Sequence, residues 1–316
     1  MRACRRYFCV YGVAKFLFLR HIIVNAIFVP NFRHPLSVFI FLINFEYMRK
    51  EFIAAVLCLL AITSAVNVAV ARPHTVTGSK TYTTINIPVQ REFTGVWNNL
   101  PFELQIVQAS GPASVSVYLP DNMTDLISVV YQGDNLVFGF KYDEIRLRHF
   151  DDALITVTLP TLSEVCNVGS GDVFLKGTLN VAPEGFKFVT NGSGNLTANI
   201  INAEGTSVMI GTTGSGDIRI NQITAKKAEL VASGSGSITA NVNADTCAAL
   251  TTGSGDMRLA GKADKADLSS IGSGSINAGR LDAASGAATS TGSGDIVCHI
   301  EAAQISSSGS GHVKNR

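Results

Sequence analysis

The chain has 316 residues, of which 46% are hydrophobic, so it is long and apolar enough to build a sizeable core. Only 16% of its residues are charged, and a composition this poor in charge is not typical of a disordered protein. Residues 72–316 contain 17 Lys and Arg against 22 Asp and Glu, a net charge of −5 that argues against nucleic-acid binding.

Residues 1–47 are aromatic and basic and show no helical or strand periodicity. Lys15, Arg20 and His21 interrupt their apolar stretch, so the segment is a poor membrane span. Two interpretations remain open. Translation starts at Met48 and residues 1–47 are an artefact of the gene model, or they form a longer leader.

Residues 48–71 have the layout of a secretory signal peptide. Arg49 and Lys50 form a positive start, residues 52–66 form an apolar run, and a small-residue cleavage site ends at Ala71. This pattern predicts export and a mature N-terminus at Arg72. The predicted location is extracytoplasmic, in the periplasm, on the outer surface or in the medium.

Three cysteines remain after the predicted cleavage site, at Cys166, Cys247 and Cys298. Their spacings match no zinc site, and we interpret them as small buried apolar residues. Cys58 follows Leu57 rather than a small residue, so a lipid anchor on it is not expected.

Residues 72–162 contain several short segments of alternating apolar and polar residues, which predict β-strands. A short helix is predicted over residues 122–130. We interpret the region as a β-rich N-terminal cap that covers one end of the domain formed by residues 163–316. The strand-like segments are residues 82–89, 93–96, 102–107, 114–119, 136–140 and 155–160.

Residues 163–316 contain eight Gly-Ser-Gly triplets at a spacing of 17 to 23 residues. The triplets begin at Gly169, Gly192, Gly214, Gly234, Gly253, Gly272, Gly292 and Gly309. The position four residues after each first glycine is always aliphatic or Met. It is occupied by Val173, Leu196, Ile218, Ile238, Met257, Ile276, Ile296 and Val313. The position four residues before it is always apolar, and the apolar residues continue at period 2, so each triplet joins two strands with one buried face.

A unit of ~20 residues cannot bury its own apolar face, but stacked units can. The sequence therefore predicts an all-β fold, a parallel β-helix-like solenoid with a sharp turn at each triplet. Two reasons for the glycines remain open, a positive φ or a close approach of the backbone. If φ is positive at Gly255, replacing it by valine is expected to cost about 1–3 kcal/mol in backbone strain.

The residue after each triplet alternates between Asp and a neutral side chain. This column is Asp172, Asn195, Asp217, Ser237, Asp256, Ser275, Asp295 and His312. The alternation indicates a genetic repeat of two units. We favour one unit per coil, with one coil of two half-turns as the alternative. The aspartates resemble calcium-binding repeats only weakly, and we expect them to accept hydrogen bonds from nearby backbone N–H groups.

The strand-rich opening, the segment ITVTLPTLSEVCNVGSGDVFL over residues 155–175 and the repeated G-S-G-[DNS]-[IVL] motif together resemble a bacterial family. This family is the putative auto-transporter adhesin, head GIN domain, and the resemblance covers roughly residues 90–314. It implies a right-handed β-helix-like fold in exported bacterial proteins. It implies no established activity and no catalytic residues.

No catalytic, cofactor-binding or metal-binding motif is present, so none of these sites is predicted and no cofactor is expected. His74, His149, His299 and His312 show no paired spacing. We interpret one charged run as a solvated loop, namely Asp143, Glu144, Arg146, Arg148, His149, Asp151 and Asp152. The lysines Lys226, Lys227, Lys262 and Lys265 are too sparse to form the basic face of an enzyme.

The sequence thus favours an exported, non-enzymatic binding or structural protein of the cell envelope, with a repetitive polar face that contacts a glycan or protein at the cell surface. The alternative is a β-helix enzyme that acts on polysaccharide. A groove with converging acidic and basic groups would favour the enzyme, and a flat face of Ser, Thr and Asn would favour adhesion. The mature domain is not expected to span a membrane.

Overall fold

The computed structural model describes residues 74–142 and 145–316. Residues 1–47, the predicted leader with its cleavage site, and the pair Asp143 and Glu144 lie outside the described residues. Within the described ranges the fold is nearly all β, as predicted, with a single 3-10 helix over Asp121–Leu126. The helix predicted over 122–130 is wrong in its second half, because β-branched residues there extend into the strand Ile127–Gln132.

The cap contains nine short strands. They are β1 (His74–Thr77), β2 (Tyr82–Ile87), β3 (Gly95–Asn98), β4 (Glu103–Gln108), β5 (Ser114–Pro120), β6 (Ile127–Gln132), β7 (Asn135–Phe140), β8 (Ile145–Arg148) and β9 (Leu154–Leu159). Strands β3 and β4 form a coil that stacks in parallel between β10 and β11 on one side and β7 and β9 on the other. The antiparallel pairs are β2 with β5, β5 with β9, and β6 with β7. Residues 74–162 thereby continue the solenoid core and cover the pairing edge at the β10 and β11 end.

The solenoid contains ten strands, all paired in parallel. They are β10 (Glu164–Asn167), β11 (Val173–Asn180), β12 (Phe186–Thr190), β13 (Leu196–Thr212), β14 (Ile218–Ala232), β15 (Ile238–Thr251), β16 (Met257–Gly272), β17 (Ile276–Gly292), β18 (Ile296–Gly309) and β19 (Val313–Asn315). From β13 to β18, each strand continues through the corner that lies between one triplet and the next. The register of pairing shifts within several of these strands, for example between Ala203 and Ser207 where β13 pairs with β14.

The pairing register establishes one repeat unit per coil. Leu196 pairs with Ile218, Ile218 pairs with Ile238, and the same column continues through Met257 to Ile276. Each step of this column advances the chain by one Gly-Ser-Gly unit. The prediction of one unit per coil is therefore confirmed, and the coil of two half-turns is excluded.

The core alternates between large and small side chains from one coil to the next. The alternating column consists of Leu175, Ala198, Ile220, Ala240, Leu259, Ala278 and Cys298, all at most 6% exposed. A small residue in one coil leaves room for a large residue in the next, so the layers fit together without voids. Each two-unit genetic repeat thus corresponds to one large-small pair of coils.

The Gly-Ser-Gly turns stack so closely that a side chain has no room. An added Cβ at Gly255 would overlap the carbonyl oxygen of Gly236 in the preceding coil and lie 3.0 Å from its carbonyl carbon. Gly255 does not have a positive φ, so the backbone strain predicted for that case does not apply. The close approach of the preceding coil is the reason that a glycine is needed there. Among the triplet glycines, a positive φ occurs only at the first glycine of the last three triplets, which are Gly272, Gly292 and Gly309.

A column of polar side chains lies inside the solenoid, two residues before each triplet. Its members are Asn167, Thr190, Thr212, Thr251, Ser270, Ser290 and Ser307. Each donates a hydrogen bond of 2.6 to 3.4 Å to the carbonyl of the second glycine in its own turn. Ala232 is the exception in this column, so the carbonyl of Gly236 lacks the corresponding donor. The column closes each turn from within, where an unpaired carbonyl would be costly.

Candidate functional site

The four histidines considered in the sequence analysis lie far apart along the fold. His74 begins β1, and His149 follows β8 in a left-handed conformation with φ 56°. His299 contacts Asp282 through Nδ1 at 2.8 Å, and both side chains are about half exposed. His312 lies at the end of the column that follows the triplets. No two of them converge on a shared site.

The charged groups of the sequence analysis do not form a catalytic cluster within the described residues. Asp151 and Asp152 are exposed in the turn before β9, while Arg146 and Arg148 point outward from β8. The same ranges contain no group of three His, Cys, Asp or Glu side chains that could hold a metal ion.

Two of the lysines considered in the sequence analysis are neutralised by acids two residues along the same strand. Lys227 pairs with Glu229, and Lys265 pairs with Asp267 at 2.6 Å. These exposed or half-exposed pairs contribute little to stability, and they leave no strongly basic patch there.

The cysteines of the described residues are free thiols. Burial raises the pKa of Cys247 to about 12, and burial together with the carboxylate of Glu164 raises the pKa of Cys166 to about 11. Burial also raises the pKa of Cys298. All three thiols therefore stay protonated near neutral pH and are poor nucleophiles and metal ligands.

The column after the triplets connects each coil to the next through side chain to backbone hydrogen bonds. Oδ1 of Asp217 accepts a bond of 3.0 Å from the backbone N–H of Ser237, and Oγ of Ser237 accepts one of 3.4 Å from Asp256. The pattern repeats through all eight coils, with distances between 2.8 and 3.4 Å. The expected backbone partner is thus present, and it belongs to the following coil rather than to the same turn.

This register leads to a prediction about calcium. With one unit per coil, successive aspartates lie about 9.6 Å apart with a neutral side chain between them. Two charges at that distance repel by only about 0.4 kcal/mol in water, so the column needs no cation. We expect the same melting temperature in excess EDTA and in millimolar calcium. A rise of many degrees with calcium would contradict the metal-free interpretation.

The outer surface that follows the triplets is the candidate functional site, and we call it the post-turn face. It comprises the Asp172 to His312 column and two further outward columns. The second column is Phe174, Thr197, Arg219, Thr239, Arg258, Asn277, Val297 and Lys314, and the third includes Asn199, Asn221 and Asn241. The period-2 alternation directs these side chains outward, because the residues between them form the core.

The post-turn face presents hydrogen-bond donors and acceptors in rows. Nη2 of Arg219 contacts Oδ2 of Asp217 at 2.8 Å, and Nδ2 of Asn221 donates to Oδ1 of Asn199 at 2.9 Å. Thr197, Arg219, Thr239 and Arg258 are all exposed. Neighbouring coils place equivalent groups about 4.8 Å apart, so the face offers one binding motif several times over.

Sequence reasoning missed both the arginines of the post-turn face and the inner polar column. The signal was present, because each column occupies a fixed offset from its triplet. Arg219 and Arg258 lie five residues after the first glycine, and the inner donors lie two residues before it. The offsets become informative only when the direction of each side chain is known.

Fold and site together define a parallel β-solenoid with a flat, polar, repetitive outer face. The family model of the putative auto-transporter adhesin, head GIN domain, matches residues 92–212 and again residues 206–316. The chain belongs to this family, as the sequence resemblance indicated. No curated protein sequence matches the chain significantly.

Solved structures with the same fold come from species of Bacteroides and Parabacteroides. A putative adhesin from Bacteroides fragilis is 23% identical, with a TM-score of 0.62, and the match covers 76% of this chain and 100% of that one. A protein from Parabacteroides distasonis described as a putative lipid binding protein is 21% identical, with a TM-score of 0.68 and coverage of 77% and 99%. A putative adhesin from Parabacteroides merdae is 19% identical, with a TM-score of 0.64 and the same coverage. At these identities the likeness concerns the fold alone.

The part of the chain that the structure describes contains no helix with the length and apolar character of a membrane span.

Proposed function

We propose that the protein is an exported, non-enzymatic component of the bacterial cell envelope that binds a glycan or another protein through its post-turn face. The observation that best supports this proposal is the exposed run of Thr, Asn and Arg side chains at equal spacing. Each contact is weak, but several equal contacts along one partner add their effects. The family description and the adhesins among the related structures agree with a role in binding.

The competing proposal, a polysaccharide-cleaving enzyme, has less support from the same residues. Glycoside hydrolysis needs two carboxyl groups on either side of one bond, one of them able to donate a proton. On the post-turn face, Asp217 accepts a backbone N–H on one oxygen and contacts Arg219 with the other. Asp256 likewise accepts the backbone N–H of Ser275. These interactions give both carboxylates a structural role.

The test of this proposal uses the protein purified after export from an expressing bacterium. Sequencing of its N-terminus is expected to give Arg72, and recovery of residues 1–47 would contradict the export proposal. A glycan array and a pull-down from envelope extract then identify the partner. Polysaccharide degradation, measured as new reducing ends, would instead support the enzyme.

Two double variants show whether binding depends on the post-turn face. Arg219→Ala with Arg258→Ala changes that face, and Lys227→Ala with Lys265→Ala makes the same charge change on another surface. We expect the first pair to weaken binding by about tenfold or more and the second to leave it unchanged. Equal effects of both pairs would place the contact elsewhere.

A further inference from the structure

In two coils of the post-turn face, an acid in the first column lies beside a base in the second, whereas Asp172 and Asp295 of the outer coils lie beside Phe174 and Val297. Asp217 and Asp256 lie in the first column, and Arg219 and Arg258 lie beside them in the second. Both acids and both bases occur in the same two coils, which are separated by a coil with Ser237 and Thr239. The charges are therefore in register across the face, with neutral hydroxyl side chains between them.

This arrangement is complementary to itself under one particular symmetry. A twofold axis parallel to the solenoid axis places the first column of one copy opposite the second column of the other copy. Each coil then lies opposite the same coil of the partner. Asp217 of one copy then faces Arg219 of the other, and Asp256 faces Arg258, each twice. A twofold axis across the coils would instead place acid on acid and base on base. Since a twofold contact must match one patch with itself, the rows select the first arrangement.

We propose that a second copy of this chain binds the post-turn face, side by side and with both solenoids pointing the same way. This inference rests on the proposed function only in taking the face as a contact surface. In the dimer, Arg219 keeps its own Asp217 and gains the partner's Asp217, so isolated ion pairs become a network. The coils that carry Thr197 and Thr239 are neutral in the second column. Their side chains provide hydrogen bonds next to the charged coils.

The size of the face sets the strength of the contact. Eight coils extend about 34 Å and three outward columns about 13 Å, an area on the order of 450 Å² per partner. Stable interfaces bury about 800 Å² per partner, so this contact is weak and reversible. It is therefore expected only at high protein concentration or where many copies are held close together.

The experiment measures self-association of the exported protein by sedimentation velocity, from micromolar to near-millimolar concentration and at low and high salt. We expect a concentration-dependent dimer that weakens as salt rises, because exposed charges are screened. The variant Arg219→Glu with Arg258→Glu makes the first two columns wholly acidic in both of these coils. It is expected to raise the dissociation constant by about tenfold or more. The control Lys227→Glu with Lys265→Glu reverses the same charges on another surface and is expected to dimerise normally.

A mixing experiment distinguishes this contact from general charge effects. The variant Asp217→Asn with Asp256→Asn keeps an oxygen for each backbone N–H but leaves only the arginines as charged groups of the first two columns in these two coils. Alone it is expected to associate weakly, and mixed with the acidic variant it is expected to form a heterodimer at low salt. A monomer under all conditions, an unaffected acidic variant, or no recovery on mixing would each overturn the proposal. Glycan or protein binding that persists with a monomer would leave the proposed function standing and reject only the dimer.

Discussion

Gly255→Val is expected to lower the melting temperature by about 6–12 °C, the loss that corresponds to about 3 kcal/mol in a domain of this size. The reason is steric, because the first side-chain atom would overlap the carbonyl of Gly236 in the preceding coil. Gly255→Ala should destabilise nearly as much, since its Cβ occupies the same place. Thermal unfolding followed by circular dichroism measures both effects.

Gly211→Ala is the matched control for this prediction. Gly211 is also a buried glycine of the solenoid, but an added Cβ would lie 3.6 Å from the nearest atom, the carbonyl oxygen of Val231, which is an ordinary contact. We expect its melting temperature to change by less than about 2 °C. If the Gly211 and Gly255 variants behaved alike, stacking of the turns would not explain the glycines.

Asn167→Leu is expected to destabilise the fold by about 1–3 kcal/mol, since it removes the side-chain donor to a buried carbonyl and one of the two acceptors of the buried Asn98 amide. Nδ2 of Asn167 donates to the carbonyl of Gly171 at 2.9 Å, and its Oδ1 accepts from Nδ2 of Asn98 at 3.2 Å. Leucine branches at the same carbon and is not smaller than asparagine, so the effect does not report a cavity. Urea denaturation measures the free energy of unfolding.

Adding a donor to the inner polar column is expected to have the opposite effect on stability. Ala232→Ser supplies the donor that the Gly236 carbonyl lacks, and it is expected to stabilise the protein by about 0.5–1.5 kcal/mol. Serine already occupies this position in three later coils, including Ser270 and Ser290, so the site accommodates its size. Loss of stability in Ala232→Ser, or full tolerance of Asn167→Leu, would show that the turn carbonyls find other partners.

The solenoid was predictable because its information is local and repeated. Every triplet, with the apolar residues four positions on either side, describes one turn and its two strands. Eight copies make the period unmistakable. The alternation of Asp with a neutral residue indicated a genetic repeat of two units, and the favoured arrangement of one unit per coil is confirmed by the pairing of Ile218 with Ile238.

The cap could not be derived in the same way. Most of its strands were recognised individually, but their order in space depends on contacts between distant residues. Strand β10 pairs with β3 rather than with β9, although β9 immediately precedes it in the chain. Nothing in the local sequence distinguishes these two arrangements. The post-turn face was missed for a related reason, since the rows at Arg219 and Arg258 acquire meaning only through the register between coils.

The alternation of coils also constrains how this protein can change its length during evolution. Removing a single unit, such as residues 237–255, would place Asp217 directly beside Asp256 and two large core residues in adjacent layers. Removing two units would preserve both the charge pattern and the large-small order of the core. Viable length variants are therefore expected to gain or lose coils in pairs, in steps of about 40 residues, as expected for arrays in which each repeat contacts only its neighbours.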